Sequence, residues 1–175
     1  MTDQLALDLA GKRAHERLNL WFDGASRGNG RAGARASIGG VVRDGDSGEL
    51  LAEISESIGE ETNNVAEYRA ALATIEAARS FGAAQIVVHG DSALVIQQLK
   101  GEWKVKAAHL VPLIRKVHEA IRGFQRVEFV HVRRELNREA DALANRALDD
   151  DDDVPASLQA RALEARAFEA RAFEA

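Results

Sequence analysis

The feature that most constrains this chain is a change of hydrophobic period between Ile58 and Val65. Before it, residues 18–24 (LNLWFDG) alternate and end in Asp-Gly. Residues 34–43 and 49–58 read as two further strands, separated by the turn-like DGDSG, so the chain opens as a three-stranded antiparallel unit. After it, Val65, Tyr68, Leu72, Ile75 and Ala78 recur at helical spacing from Asn64 to Phe81, and Gly82 supplies a stop. A short buried strand follows at 85–89, then helices at 92–99 and 109–121, a strand at 127–132 and a helix at 136–148. The order βββαβααβα predicts an α/β fold with a mixed five-stranded sheet and helices on both faces.

With 175 residues, 46% of them hydrophobic, the chain can bury one core. We expect a domain over 18–148, preceded by a lead-in at 1–17 and followed by a tail at 149–175. The tail starts with DDDDD at 149–153 and continues into RALEA, RAFEA and RAFEA, whose Leu163, Phe168 and Phe173 form no single apolar stripe. It is expected to be solvated and partly helical or disordered; the alternative is a docking segment for a partner that the sequence does not identify. The net charge of −5 belongs to it, because residues 149–175 hold 8 acids against 3 basic residues, leaving 20 of each in residues 1–148. No run of about 18 apolar residues occurs, so no membrane is implied, and a cytoplasmic monomer is expected. There is no cysteine, so any metal must be held by oxygen or histidine.

Four acids sit at element ends: Asp23, Glu67, Asp91 and Asp141. Each has a structural reading of its own. Asp23 before Gly24 suits a turn. Glu67, three residues after Asn64, suits a reciprocal helix cap. Asp91 suits an N-cap, and Asp141 a helix-dipole partner. Together they say more, since the ends of adjacent strands and the starts of packed helices share one rim, where several acids would repel strongly without cations. An all-oxygen set without cysteine favours Mg²⁺ or Mn²⁺ over zinc and suggests a two-metal centre.

The segments FDGASRGNGRAG, TNNVAEYRAAL, GDSALVIQQLKG and HVRRELNREADALANRAL agree in order and spacing with one family. Over about residues 18–148 the chain resembles type 1 ribonuclease H. That resemblance implies hydrolysis of the RNA strand of RNA–DNA hybrids by two Mg²⁺ ions, with Mn²⁺ a substitute, giving 5′-phosphate and 3′-hydroxyl ends. It implies that Asp23, Glu67, Asp91 and Asp141 hold the metal, with Asp23 bridging. It also implies that Ser26, Asn29, Thr62, Asn63 and Asn64 contact the hybrid, and that Gly24, Gly28 and Gly30 let backbone approach phosphate. Trp103 resembles the aromatic that packs on the DNA strand, with Lys104 and Lys106 as phosphate contacts beside it. A core anchor is the alternative for Trp103, and Trp21 reads as core.

Two family features are missing. The basic handle between helices is reduced to KGEWKVKAAHLVPLIRKV, and the histidine-bearing loop before the last acid to RRELNREAD. Arg133, Arg134 or Glu135 could take part of the loop's role, while His131 and His89 read as strand residues. The alternative these departures raise is a weakly active or inactive protein that binds RNA–DNA hybrid.

Overall fold

A computed structural model describes residues 15–28 and 32–152. Nine elements follow the expected order: β1 (Arg17–Arg27), β2 (Arg35–Asp44), β3 (Leu50–Gly59), α1 (Asn63–Arg79), β4 (Gln85–Gly90), α2 (Ala93–Leu99), α3 (Val111–Ile121), β5 (Arg126–His131) and α4 (Arg138–Asp152). Short 3-10 turns, Ala108–Leu110 and Arg134–Leu136, lead into α3 and α4. The sheet order is β3-β2-β1-β4-β5, with the first three strands antiparallel and β1, β4 and β5 parallel.

Neighbouring glycines on β2 show how helices cover both faces. A Cβ on Gly40 would lie 2.2 Å from Thr74 Oγ1 of α1, and one on Gly39 would lie 2.1 Å from the Ala140 carbonyl of α4. Successive strand residues point to opposite faces, so α1 and α4 sandwich the sheet at this point. The larger core lies on the α1 side, where Leu18, Leu20, Phe22, Ile38 and Val42 meet Tyr68, Ala71 and Ile75. On the other face α4 sits close because small residues line the contact, and the Ser37 and Ser55 hydroxyls donate to the Ala144 and Leu143 carbonyls at 2.5 and 2.7 Å.

The observed helix ends differ from expectation in ways that matter for the acids. Thr62 caps α1, its Oγ1 accepting from the Val65 amide at 3.3 Å, and Ser92 caps α2, its Oγ accepting from the Val95 amide at 3.3 Å. Neither Asn64 nor Asp91 is the capping residue, which removes the capping explanation for both Glu67 and Asp91. Asp23 lies within β1, opposite Gly39, and not in a turn. α4 runs past Leu148 to Asp152, although carboxylates at a helix C-terminus oppose its dipole. Arg27 of β1 offsets part of that cost, its Nη2 lying 2.5 Å from Asp149 Oδ1. Among the described residues no helix is long and apolar enough to cross a membrane.

Candidate active site

The β1–β4 ladder ends at Trp21↔His89, and Asp23 and Asp91 each lie two residues further along. The two parallel strands thus deliver carboxylates to the mouth beyond their C-terminal ends, the usual ligand crevice of open α/β sheets. Glu67 arrives from α1. A Cβ on Gly24 would lie 2.3 Å from the Glu67 amide and 2.4 Å from the Ala66 carbonyl carbon, so only glycine lets the helix come this near to β1. Gly24 therefore admits the backbone of α1, and it also lines the hollow that the acids share.

One carboxylate oxygen each from Asp23, Glu67 and Asp91 falls within a 4.8 Å cluster. Asp141, one turn into α4, faces the same hollow of about 410 Å³ with Ser26, Asn63, Arg134 and Asn145 but lies outside that tight triad. Arg134 Nη2 is 3.4 Å from Asp141 Oδ1, and Asn145 Nδ2 donates to the same oxygen at 3.2 Å. Asn137 holds the turn before α4 against β1, its Nδ2 donating to the Phe22 carbonyl at 3.0 Å.

Burial and mutual repulsion govern the electrostatics. Burial, then the charges of Asp91 and Asp141, pushes Asp23 up to about 8. Burial, then the charges of Asp23 and Asp91, pushes Glu67 up to about 9, against a hydrogen bond from the Gly24 amide. Glu67 Oε2 is buried without a hydrogen-bond partner. A buried acceptor without a donor, inside a group of acids that resist ionising together, is what a hard divalent cation satisfies. The donor set is all oxygen, so the residues present fit Mg²⁺ or Mn²⁺.

The remaining sequence candidates divide among several places. Thr62 is exposed and caps α1. Asn64 lines a separate groove of about 590 Å³ with Leu94, Trp103, Lys104 and Lys106. Trp103 is 50% exposed, which excludes the core-anchor alternative. Asn29 and Gly30 lie outside the described residues. Gly28 is described and has φ +73°, the left-handed backbone that favours glycine.

Arg133 is exposed and Glu135 faces a different hollow, beside Trp21 and Arg43, so of the three auxiliary candidates only Arg134 borders the acids. Trp21 is half-buried and not fully core, stacked on His89 at 4.7 Å. His89 Nδ1 donates to the Leu20 carbonyl at 2.8 Å, and burial lowers its pKa. His131 ends β5, its Nε2 lying 3.2 Å from the Asp91 carbonyl oxygen. Sequence reasoning missed Asn137 and Asn145. The Leu-Asn-Arg-Glu-Ala-Asp context was visible, but Asn137's partner lies 115 residues away and Asn145 reads as an ordinary helix residue.

Fold and site together define an α/β domain of the mixed-sheet class that gathers four acids around a candidate divalent-metal centre. The chain belongs to the ribonuclease H family: a family model described as "Reverse transcriptase-like" matches residues 22–147. Ribonuclease HI of Halobacterium salinarum is 45% identical over 134 residues, covering 77% of this chain and 65% of that protein. The crystal structure of RNase H1 from that archaeon matches with a TM-score of 0.72, over 77% of this chain and 98% of the solved one. The N-terminal RNase H domain of a Mycobacterium tuberculosis protein, solved as a fusion with maltose binding protein, matches at 40% identity and TM-score 0.71, covering 75% and 98%. LC11-RNase H1, isolated from compost by a metagenomic approach, was also solved in complex with an RNA/DNA hybrid. That complex matches at 36% identity and TM-score 0.70, covering 76% and 97%. The chain spans 65% of the halobacterial relative and 34% of the bifunctional mycobacterial protein.

Proposed function

We propose that the protein is an endoribonuclease that hydrolyses the RNA strand of RNA–DNA hybrids, leaving 5′-phosphate and 3′-hydroxyl ends. The observation that carries this is the Asp23–Glu67–Asp91 cluster, with Asp23 and Glu67 buried and Asp91 half-buried, and its unpartnered Glu67 oxygen. Asp23, Glu67, Asp91 and Asp141 would hold two Mg²⁺ ions, for which Mn²⁺ can substitute, and the tight triad with Asp141 alongside supports that assignment. The bound ions would supply an activated water and charge stabilisation at the leaving oxygen.

The rest of the work falls to the chain. Asn145 and Arg134 orient the Asp141 carboxylate, and Asn137 locks the start of α4 against β1. Arg134, exposed at the rim, would also steady a phosphate next to the acids. Ser26, Asn29, Asn63 and Asn64 would meet the wide minor groove of the hybrid, where amides and hydroxyls can exchange hydrogen bonds with 2′-hydroxyls. Thr62 would act there through the end of α1 that it caps. Trp103, with Lys104 and Lys106, would receive the DNA strand in the groove that also contains Asn64. The complex of LC11-RNase H1 with RNA/DNA hybrid supports this substrate class. We place the protein in the cytoplasm as a monomer, with its domain over 18–148 and the acidic tail following it.

The test uses a labelled RNA–DNA hybrid, matched RNA and DNA duplexes, and Mg²⁺, Mn²⁺ or EDTA. We expect metal-dependent cutting of the hybrid's RNA strand, with Asp23→Asn losing at least about a thousandfold in rate while still binding hybrid. Retained binding with no cutting by the wild-type chain under either metal would instead assign a hybrid-binding protein.

A further inference from the structure

The exposed strap between α2 and α3, residues 100–107, carries Trp103, Lys104 and Lys106 without being helix or strand. Its first turn is well fixed. Gly101 has φ +78° and donates to the Gln98 carbonyl at 3.0 Å, and the Glu102 and Trp103 amides donate to the Gln97 carbonyl at 3.0 and 3.2 Å. Beyond Trp103 the next backbone–backbone bond among the described residues is Leu110 to Ala107, at 3.1 Å. One side chain spans that gap: Gln98 Nε2 donates to the Lys104 carbonyl at 3.1 Å.

Gln98 is 7% exposed, on the face of α2 that otherwise buries Val95, Ile96 and Leu99. Its Oε1 accepts a hydrogen bond from the Tyr68 hydroxyl. Tyr68 is fully buried on α1, immediately after Glu67. The amide orientation is fixed by chemistry, since turning it over would aim its oxygen at the Lys104 carbonyl oxygen. A hydroxyl and an amide facing each other inside an apolar layer give the core little that a phenyl ring and a thioether would not. What they add is direction, because the second end of the amide reaches out to the strap.

We propose that Tyr68 and Gln98 are positioning residues: they tie the Trp103–Lys106 segment to the helix that bears Glu67, holding the nucleic-acid contacts at a fixed offset from the acids. This rests on the reading above that the strap meets the hybrid. Val105 and Ala107 pack partly against the core, so the strap stays near the body without the tether and loses its register, not its attachment.

The test compares wild type with Tyr68→Phe/Gln98→Met, which removes both polar groups at nearly constant volume. Amide hydrogen exchange is followed across residues 102–107, beside KM and kcat on hybrid with Mg²⁺, and hybrid Kd in EDTA. We expect the double variant to fold, to exchange faster at 104–107, and to raise KM and Kd roughly three- to tenfold while kcat holds. Tyr68→Phe alone, which keeps the amide but frees its rotamer, should give a smaller change in the same direction. In a Trp103→Ala background the double variant should add little, since the main contact it positions is gone.

Unchanged exchange at 104–107 overturns the proposal whatever binding does. Faster exchange with unchanged KM and Kd also overturns it, and Trp103→Ala then locates the fault. If Trp103→Ala weakens binding, the positioning idea alone fails. If it does not, the assignment of the strap to the substrate fails as well.

Discussion

Burial pushes two carboxylates, Asp23 up to about 8 and Glu67 up to about 9, and so ties the stability of the metal-free fold to pH. The ordinary values are 3.8 for Asp23 and 4.5 for Glu67, and both rise in the fold, chiefly by burial. Between those limits the native metal-free state binds more protons than the unfolded chain, so these two groups make stability fall as pH rises. Asp44 has the opposite sign. The Ser47 amide, His15 and the Ser47 hydroxyl hold its carboxylate well below the ordinary range, so its contribution is present above about pH 4 and lost in acid. We therefore expect the Tm in EDTA to fall between pH 5 and pH 8. Asp23→Asn should flatten that slope and stabilise the metal-free fold by roughly 1–3 kcal/mol at pH 8. Mg²⁺ should raise the wild-type Tm more at pH 8 than at pH 5, and much less in the mutant. Melts in EDTA whose pH slope is the same with and without Asp23 would sink the electrostatic account. Asp44→Asn supplies the control: it should lower Tm at pH 7 and matter less at pH 3.

At the scale of elements, the site depends on how near two helices approach the sheet, and two glycines set that distance. At Gly39 a methyl would meet the Ala140 carbonyl and, at 2.6 Å, the Ala144 amide, so Gly39→Ala should lift α4 and carry Asp141 away with it. Gly24→Ala should displace α1 at Glu67. Because backbone and not a flexible side chain stands in the way, each should cost about 3 kcal/mol, the upper end of ordinary overpacking. Each should also weaken Mg²⁺ binding, read by calorimetry on the folded fraction; a variant with native Tm and native Mg²⁺ affinity would contradict the close-approach argument. The element order was legible in the sequence because each segment keeps one period throughout, as LNLWFDG does for strand and Val65 to Ala78 do for helix. Cap assignment was not, since Thr62, Asn63 and Asn64 are all capable and only backbone geometry chooses Thr62. The end of α4 was missed because an aspartate run reads as a helix stop until Arg27, 122 residues away, is placed beside it. The four acids could be grouped from sequence, but the looser place of Asp141 could not, as it depends on how α4 lies on the sheet.

For the whole molecule the charge distribution opposes a polyanionic partner on paper, with a formal net charge of −5. The groove does not share that character. Lys104 and Lys106 are exposed along it with Trp103, and Arg134 stands at the rim of the acids. Screening confines each charge to its near neighbourhood once the Debye length falls to about 8–10 Å, so the local cations govern the groove and hybrid binding should persist at physiological salt despite the net charge of −5. It should also carry a clear ionic signature. In EDTA, where turnover is absent, log Kd for hybrid should rise linearly with log salt, and Lys104→Ala and Lys106→Ala should each reduce that slope by nearly one ion. Trp103→Ala should weaken binding by about 1–3 kcal/mol with the slope unchanged, because stacking releases no counterions. The pairing of outcomes separates the two kinds of contact in one titration series. Lysine variants that leave the slope intact would mean that the phosphates run elsewhere on the surface, and a Trp103 variant that changes the slope would mean that its loss rearranges the lysines beside it.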